Sequence, residues 1–164
     1  MAKPTKNAAI ICTIVSIIAL IGIIIGLTKD STLIIVLSLL PATAYEVYRT
    51  EGDSTRTSSI ILLVVLIAEI ILILFNINFN LAEYLDTTEK YIGGYWVPLG
   101  EITVVGPTIM AVLSVILFVR TRGIYTRWLA AVIFFTSFAI IYSVSPQMFG
   151  ELIKNALQQG LGRL

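Results

Sequence analysis

Histidine is missing from this chain altogether, and that absence closes off much of the usual enzyme chemistry. Without it there is no His-ligated haem, no His-containing zinc site and no triad with a His base. Cysteine is nearly as scarce. Cys12 is alone, so no intrachain disulfide and no thiolate metal cluster can form. None of the long apolar runs contains an aspartate, which removes an intramembrane aspartate dyad. Charged residues make up only 13% of the 164, and a formal net charge of +1 comes with no basic patch beyond short loop clusters. Nucleic acid is therefore not an expected partner. The chain reads as a non-enzyme with no catalytic residue, metal or cofactor of its own.

What the sequence has in abundance is apolar surface. It is 57% hydrophobic with a mean hydropathy of +0.95, more than a soluble domain of this size can hide, so lipid must cover part of it. Five runs are long enough to cross a bilayer as helices: 8–27, 32–48, 60–79, 102–119 and 128–144. The expected fold is an all-α integral membrane bundle of five transmembrane helices, one domain over 1–164, followed by a C-terminal amphipathic helix over 146–161. That last helix would start at Ser145-Pro146, with Phe149, Leu152, Ile153 and Ala156 on one side and Glu151, Lys154 and Asn155 on the other.

The third run, IILLVVLIAEIILILFNINF, carries the chain's one charge at the centre of an apolar span. Glu69 stands nine residues from one end and ten from the other, roughly 14 Å from either end at the helical rise. An ionisable group at that depth costs about 3 kcal/mol or more unless it is protonated or partnered. Asn76 and Asn80, seven and eleven positions further on, fall on nearly the same helical face and give the carboxyl a polar approach from one side. Glu69, Asn76 and Asn80 are thus the candidate ion or proton pathway.

The first run carries a stripe of small residues: Cys12, Ser16, Ala19, Gly22 and Gly26. Gly22 and Gly26 match the GxxxG spacing that lets two helix backbones approach closely, and they are the candidate packing residues, inside the monomer in preference to a dimer face. In the second run Pro41 predicts a kink, Tyr45 and Tyr48 read as interfacial anchors, and Glu46 reads as an interfacial acid able to pair with Arg49 or Arg56. Residues 49–59 read as a hydrophilic loop. The connection 80–101 is acidic, with Glu83, Asp86, Glu89 and Glu101 against Lys90, and 81–91 reads as a short surface helix. The basic run 120–127 reads as a topology determinant.

With the N-terminus inside, seven of the Lys and Arg residues fall on the inner side and four on the outer. That split obeys the positive-inside rule and puts the acidic connection outside; the expected location is the cytoplasmic (plasma) membrane. Two functions fit these features. One is an oligomeric channel or transport component for protons or small cations, because five short helices leave little room for a pore in one monomer. The other is a non-catalytic scaffold subunit of a larger membrane complex. The expected partners are the lipid bilayer and either further copies of the chain or other membrane subunits.

Overall fold

The computed structural model describes residues 6–77, 89–92, 95–98, 102–147, 149, 150, 153 and 154. Five helices in it are long and apolar enough to cross a membrane. They are α1 (Ala8–Thr28), α2 (Thr32–Arg49), α3 (Asp53–Leu74), α4 (Ile102–Arg120) and α5 (Ile124–Val144). Between α3 and α4 lies an antiparallel pair, β1 (Glu89–Ile92) and β2 (Tyr95–Pro98), in which Tyr91 stands opposite Trp96. Over 89–91 a strand stands where the end of the surface helix 81–91 is expected, and 81–88 lie outside the described residues. Aromatic and β-branched residues favour strands, and Gly93-Gly94 is a residue pair suited to a two-residue hairpin.

The helices pack as neighbours in chain order, α1 on α2, α2 on α3, α3 on α4 and α4 on α5, and α5 closes the ring on α1. α2 also meets α5 across the middle. The core is aliphatic, with Ile35, Leu39, Leu62, Leu66, Met110, Leu117, Leu129, Ile133 and Ile140 all fully buried. The outward faces carry exposed Ile, Leu, Val and Phe, such as Ile10, Leu20, Val64 and Phe135. Such faces are long and apolar enough to suit a bilayer.

Close approach of α1 and α2 rests on missing side chains. A Cβ at Gly22 would collide with Ser38 of α2, and one at Gly26 would collide with Ile35. Two side-chain hydrogen bonds join other helices: Trp128 Nε1 donates to Ser16 Oγ (2.9 Å) and Thr32 Oγ1 meets Ser143 Oγ (2.8 Å). α2 continues as a helix through Pro41, and the nearby hydroxyls of Ser38 and Thr43 bond the carbonyls of Ile35 and Leu40.

Three helix limits differ clearly from the sequence expectation. α3 begins at Asp53 and not near residue 60, so only 50–52 separate it from α2. Gly52 takes φ +101°, which glycine tolerates, and Asp53 then opens the helix where its negative charge suits the dipole. The hydroxyls that make 53–59 look like a loop bond carbonyls one turn back: Thr55 to Glu51 O (2.8 Å), Thr57 to Asp53 O (2.8 Å) and Ser59 to Thr55 O (3.2 Å). In the same way α5 begins at Ile124, which leaves 121–123 as the whole link from α4.

The other end of α3 is also early, at Leu74 and not 79. Asn76 has φ +49°, its N–H bonds Ile73 O (3.2 Å), and the N–H of Ile77 bonds Leu72 O (2.9 Å). This is a Schellman stop, in which asparagine stands in the left-handed position usually given to glycine. Of the expected C-terminal helix 146–161, residues 146, 147, 149, 150, 153 and 154 are helical, and the remainder lies outside the described residues. Phe149 turns back onto α5, its ring 5.4 Å from Tyr142 and 6.2 Å from Phe138.

Candidate functional site: two buried carboxyls

Spacing along α3 decides what the bundle interior contains. Ser59, Leu62, Leu66 and Glu69 recur at intervals of three and four, so they share one face, and all four are buried. A helix docked by its leucines therefore carries a hydroxyl and a carboxyl into the core with them. Ser59 and Glu69 are about 15 Å apart along the axis at the helical rise.

Glu69 is 1% exposed, and neither carboxyl oxygen has a hydrogen-bond partner among the described residues. Its neighbour is Gly106 of α4, where an added Cβ would collide with Glu69 Oε2. The glycine makes the space in which the carboxyl lies. One turn before it on α4, Thr103 is buried and its hydroxyl is likewise unpartnered among the described residues. Pro107, the next residue after Gly106, has no N–H to give the Thr103 carbonyl in the usual helical bond. Each unsatisfied buried polar group costs about 1–3 kcal/mol, so this cluster is held at the expense of stability.

The new limits of α3 shift the carboxyl off centre. Glu69 is five residues before the end of α3, roughly 7.5 Å along the axis, and Gly106 is four residues into α4, roughly 6 Å. The site lies nearer the end of the bundle that carries the α3–α4 connection. Asn76 does not extend the Glu69 face, because the helix has already stopped and Asn76 supplies the turn that stops it. Asn80 lies outside the described residues.

A second carboxyl, expected at the interface, lies inside. Glu46 of α2 is 1% exposed. Its Oε1 accepts from the Thr50 hydroxyl (3.0 Å), and Ser59 Oγ of α3 donates to Thr50 Oγ1 (3.0 Å). Oε2 has no partner among the described residues, and the expected pairing with Arg49 is not made there, since the Arg49 guanidinium lies over the rings of Tyr45 (5.9 Å) and Tyr125 (5.3 Å). Helical spacing was the available signal: Glu46 falls at i+4 from Ala42 and i+7 from Leu39, both buried.

The interior thus has a carboxyl toward each end with an apolar layer between them. Leu62 and Leu66 separate the Ser59–Thr50–Glu46 hydroxyl chain from Glu69 along α3. Among the described residues no three His, Cys, Asp or Glu side chains gather to hold a metal ion. What the arrangement offers chemically is two isolated acids, each with at least one oxygen free to take a proton or a cation. No protein-family model, no curated protein and no solved structure matches the chain.

The Gly106–Glu69 contact gives a direct test of the geometry. Gly106→Ala is expected to cost about 1 kcal/mol, the low end of overpacking, because the atom it meets first is the far end of the Glu69 side chain. In a Glu69→Ala background the same methyl has room. The cost there is expected to fall by about 1 kcal/mol, within the range seen for touching residues. Additive losses in a double-mutant cycle of detergent unfolding would show that the two side chains do not meet.

Proposed function

We propose that the chain is a membrane transport component that passes protons or small cations through Glu69. The observation that carries this reading is the fully buried carboxyl with both oxygens unpartnered among the described residues, set against a glycine. Ionisable groups kept at such a cost inside a membrane bundle are characteristic of ion pathways. Glu46 supplies a second acid toward the opposite end, so the alternate gate comes from within the same bundle. Flux then requires Leu62 and Leu66 to part or wet transiently. The scaffold reading, in which Glu69 bonds a neighbouring subunit, draws less support, because a residue 1% exposed offers a neighbour no surface to reach.

The reading is tested by reconstituting the purified chain alone into vesicles and imposing a pH, sodium or potassium gradient. A flux above empty vesicles supports it. No flux under any gradient, with different subunits co-purifying, removes it in favour of a scaffold role.

Orientation follows the charge split. The end with Arg49, Arg56, Arg120 and Arg122 is assigned to the cytoplasm of a plasma membrane, and the α3–α4 connection to the outside. In a Cys12→Ala background, Lys29→Cys is expected to react with an impermeant maleimide added outside cells, and Arg122→Cys only after lysis. Reaction of Arg122→Cys in intact cells would invert the assignment.

A further inference from the structure

The end of the bundle that joins α2 to α3 and α4 to α5 holds a cleft of about 530 Å³ that the transport reading does not use. Its walls come from the last turn of α2, the first turn of α3 and the link 121–123 with the first turn of α5. Arg49, Arg120 and Arg122 line it, against a single acid, Glu51. The cleft therefore carries a surplus of two positive charges. Its volume falls within the range of small-ligand sites.

Three features make it more than a basic rim. Arg49 is positioned, not free, with its guanidinium between the Tyr45 and Tyr125 rings, and its Nε is buried with no acceptor among the described residues. A guanidinium held in place at the wall of a cleft is preorganised to receive an oxyanion. The first turn of α5 also faces the cleft, and its N-cap residue, Gly123, has no side chain to cap it. The N–H groups of that turn have no intrahelical partner, and they carry the positive end of the dipole of a 21-residue helix. Finally, the threonine hydroxyls in the wall are already committed. Thr121 donates to Leu117 O (2.6 Å) and Thr126 to Gly123 O (2.7 Å), while Arg127 Nε braces the link on Thr121 O (2.9 Å). What the wall offers is the guanidinium groups of Arg49 and Arg122 and backbone N–H, which is donor chemistry for a tetrahedral oxyanion.

We propose that this cleft binds a phosphate group, held by Arg49 and Arg122 with Arg120 adding charge and the opening N–H groups of α5 completing the cradle. Two sources share that chemistry: the headgroup of an anionic phospholipid, which the cleft meets at the level of the membrane surface, and a free phosphate or phosphate ester from the aqueous side. The proposal is independent of transport, since neither Glu69 nor Glu46 takes part.

The test titrates the detergent-purified chain with short-chain phosphatidylglycerol, short-chain phosphatidylcholine and inorganic phosphate, and reads the melting temperature and bound mass by native mass spectrometry. Phosphatidylglycerol binding at least tenfold tighter than phosphatidylcholine assigns a lipid source, and saturable binding of inorganic phosphate assigns a soluble one. Either ligand is expected to lose roughly tenfold or more in affinity on Arg122→Gln, an exposed change that leaves packing alone, and on Arg49→Gln. Lys29→Gln at the opposite end is expected to change nothing. The proposal is overturned if wild type binds no phosphate compound selectively, or if Arg122→Gln and Arg49→Gln bind as wild type does.

Discussion

Replacing Glu69 by glutamine is expected to leave the chain folded with an unchanged melting temperature and to reduce flux in vesicles to the empty-vesicle background. The amide matches the carboxyl in size, so the space beside Gly106 stays filled without a new collision. It cannot release a proton or hold a cation by charge, which is the property the transport reading requires. Glu69→Leu separates the readings further. It removes two oxygens that have no partner among the described residues and puts apolar surface in an apolar core. The variant is expected to be more stable by about 1–3 kcal/mol while transporting nothing. A scaffold that relied on a Glu69 hydrogen bond would behave in the opposite way and loosen with leucine. Flux at the wild-type level from Glu69→Gln would end the transport reading.

The largest loss of stability is expected from Gly26→Leu. Even the first carbon of a new side chain overlaps Ile35, which is fully buried, and comes within 3.1 Å of the Ser31 carbonyl oxygen. A leucine cannot be accepted by rotating one flexible neighbour, so α1 must move off α2 along much of its length. The expected cost is about 3 kcal/mol, the upper end of ordinary overpacking, read as a lowered unfolding midpoint in detergent. Leu20→Ala, on the lipid side of the same helix, is the control and should change little. Equal behaviour of the two variants would mean that α1 does not pack on α2 through its glycines.

Five apolar runs in the sequence correspond to five helices in the structure, because segment length and apolar content are set by the bilayer and can be counted residue by residue. The limits of α3 were less legible. Hydropathy sees Ser and Thr in 53–59 as polar, whereas the folded chain spends their hydroxyls on carbonyls one turn back. Asn76 invited the opposite error. Extending helical periodicity past Leu74 made it a pathway residue, although an asparagine after a long apolar run is also a stop signal, and here it serves as one. Glu69 could be singled out from sequence because it interrupts an unbroken apolar run. Gly106 could not, since what matters about it is the missing carbon opposite a side chain on another helix. Glu46 lay between these cases. Its face was computable from Leu39 and Ala42, but proximity to Arg49 and two tyrosines suggested water, and only the packing of α2 against α3 shows which way it turns.

Leu62 and Leu66 also bear on how the protein would respond to voltage. In a bilayer the electric potential falls most steeply across whatever thickness excludes water, and these two side chains form the dry interval along α3 between its buried polar levels. A unit charge carried past them works against most of the membrane potential within a short distance, about 2.3 kcal/mol for each 100 mV. Any ion flux through this bundle should therefore rise steeply with voltage. Polar substitution of either leucine would spread the drop over a longer path and flatten the current–voltage relation.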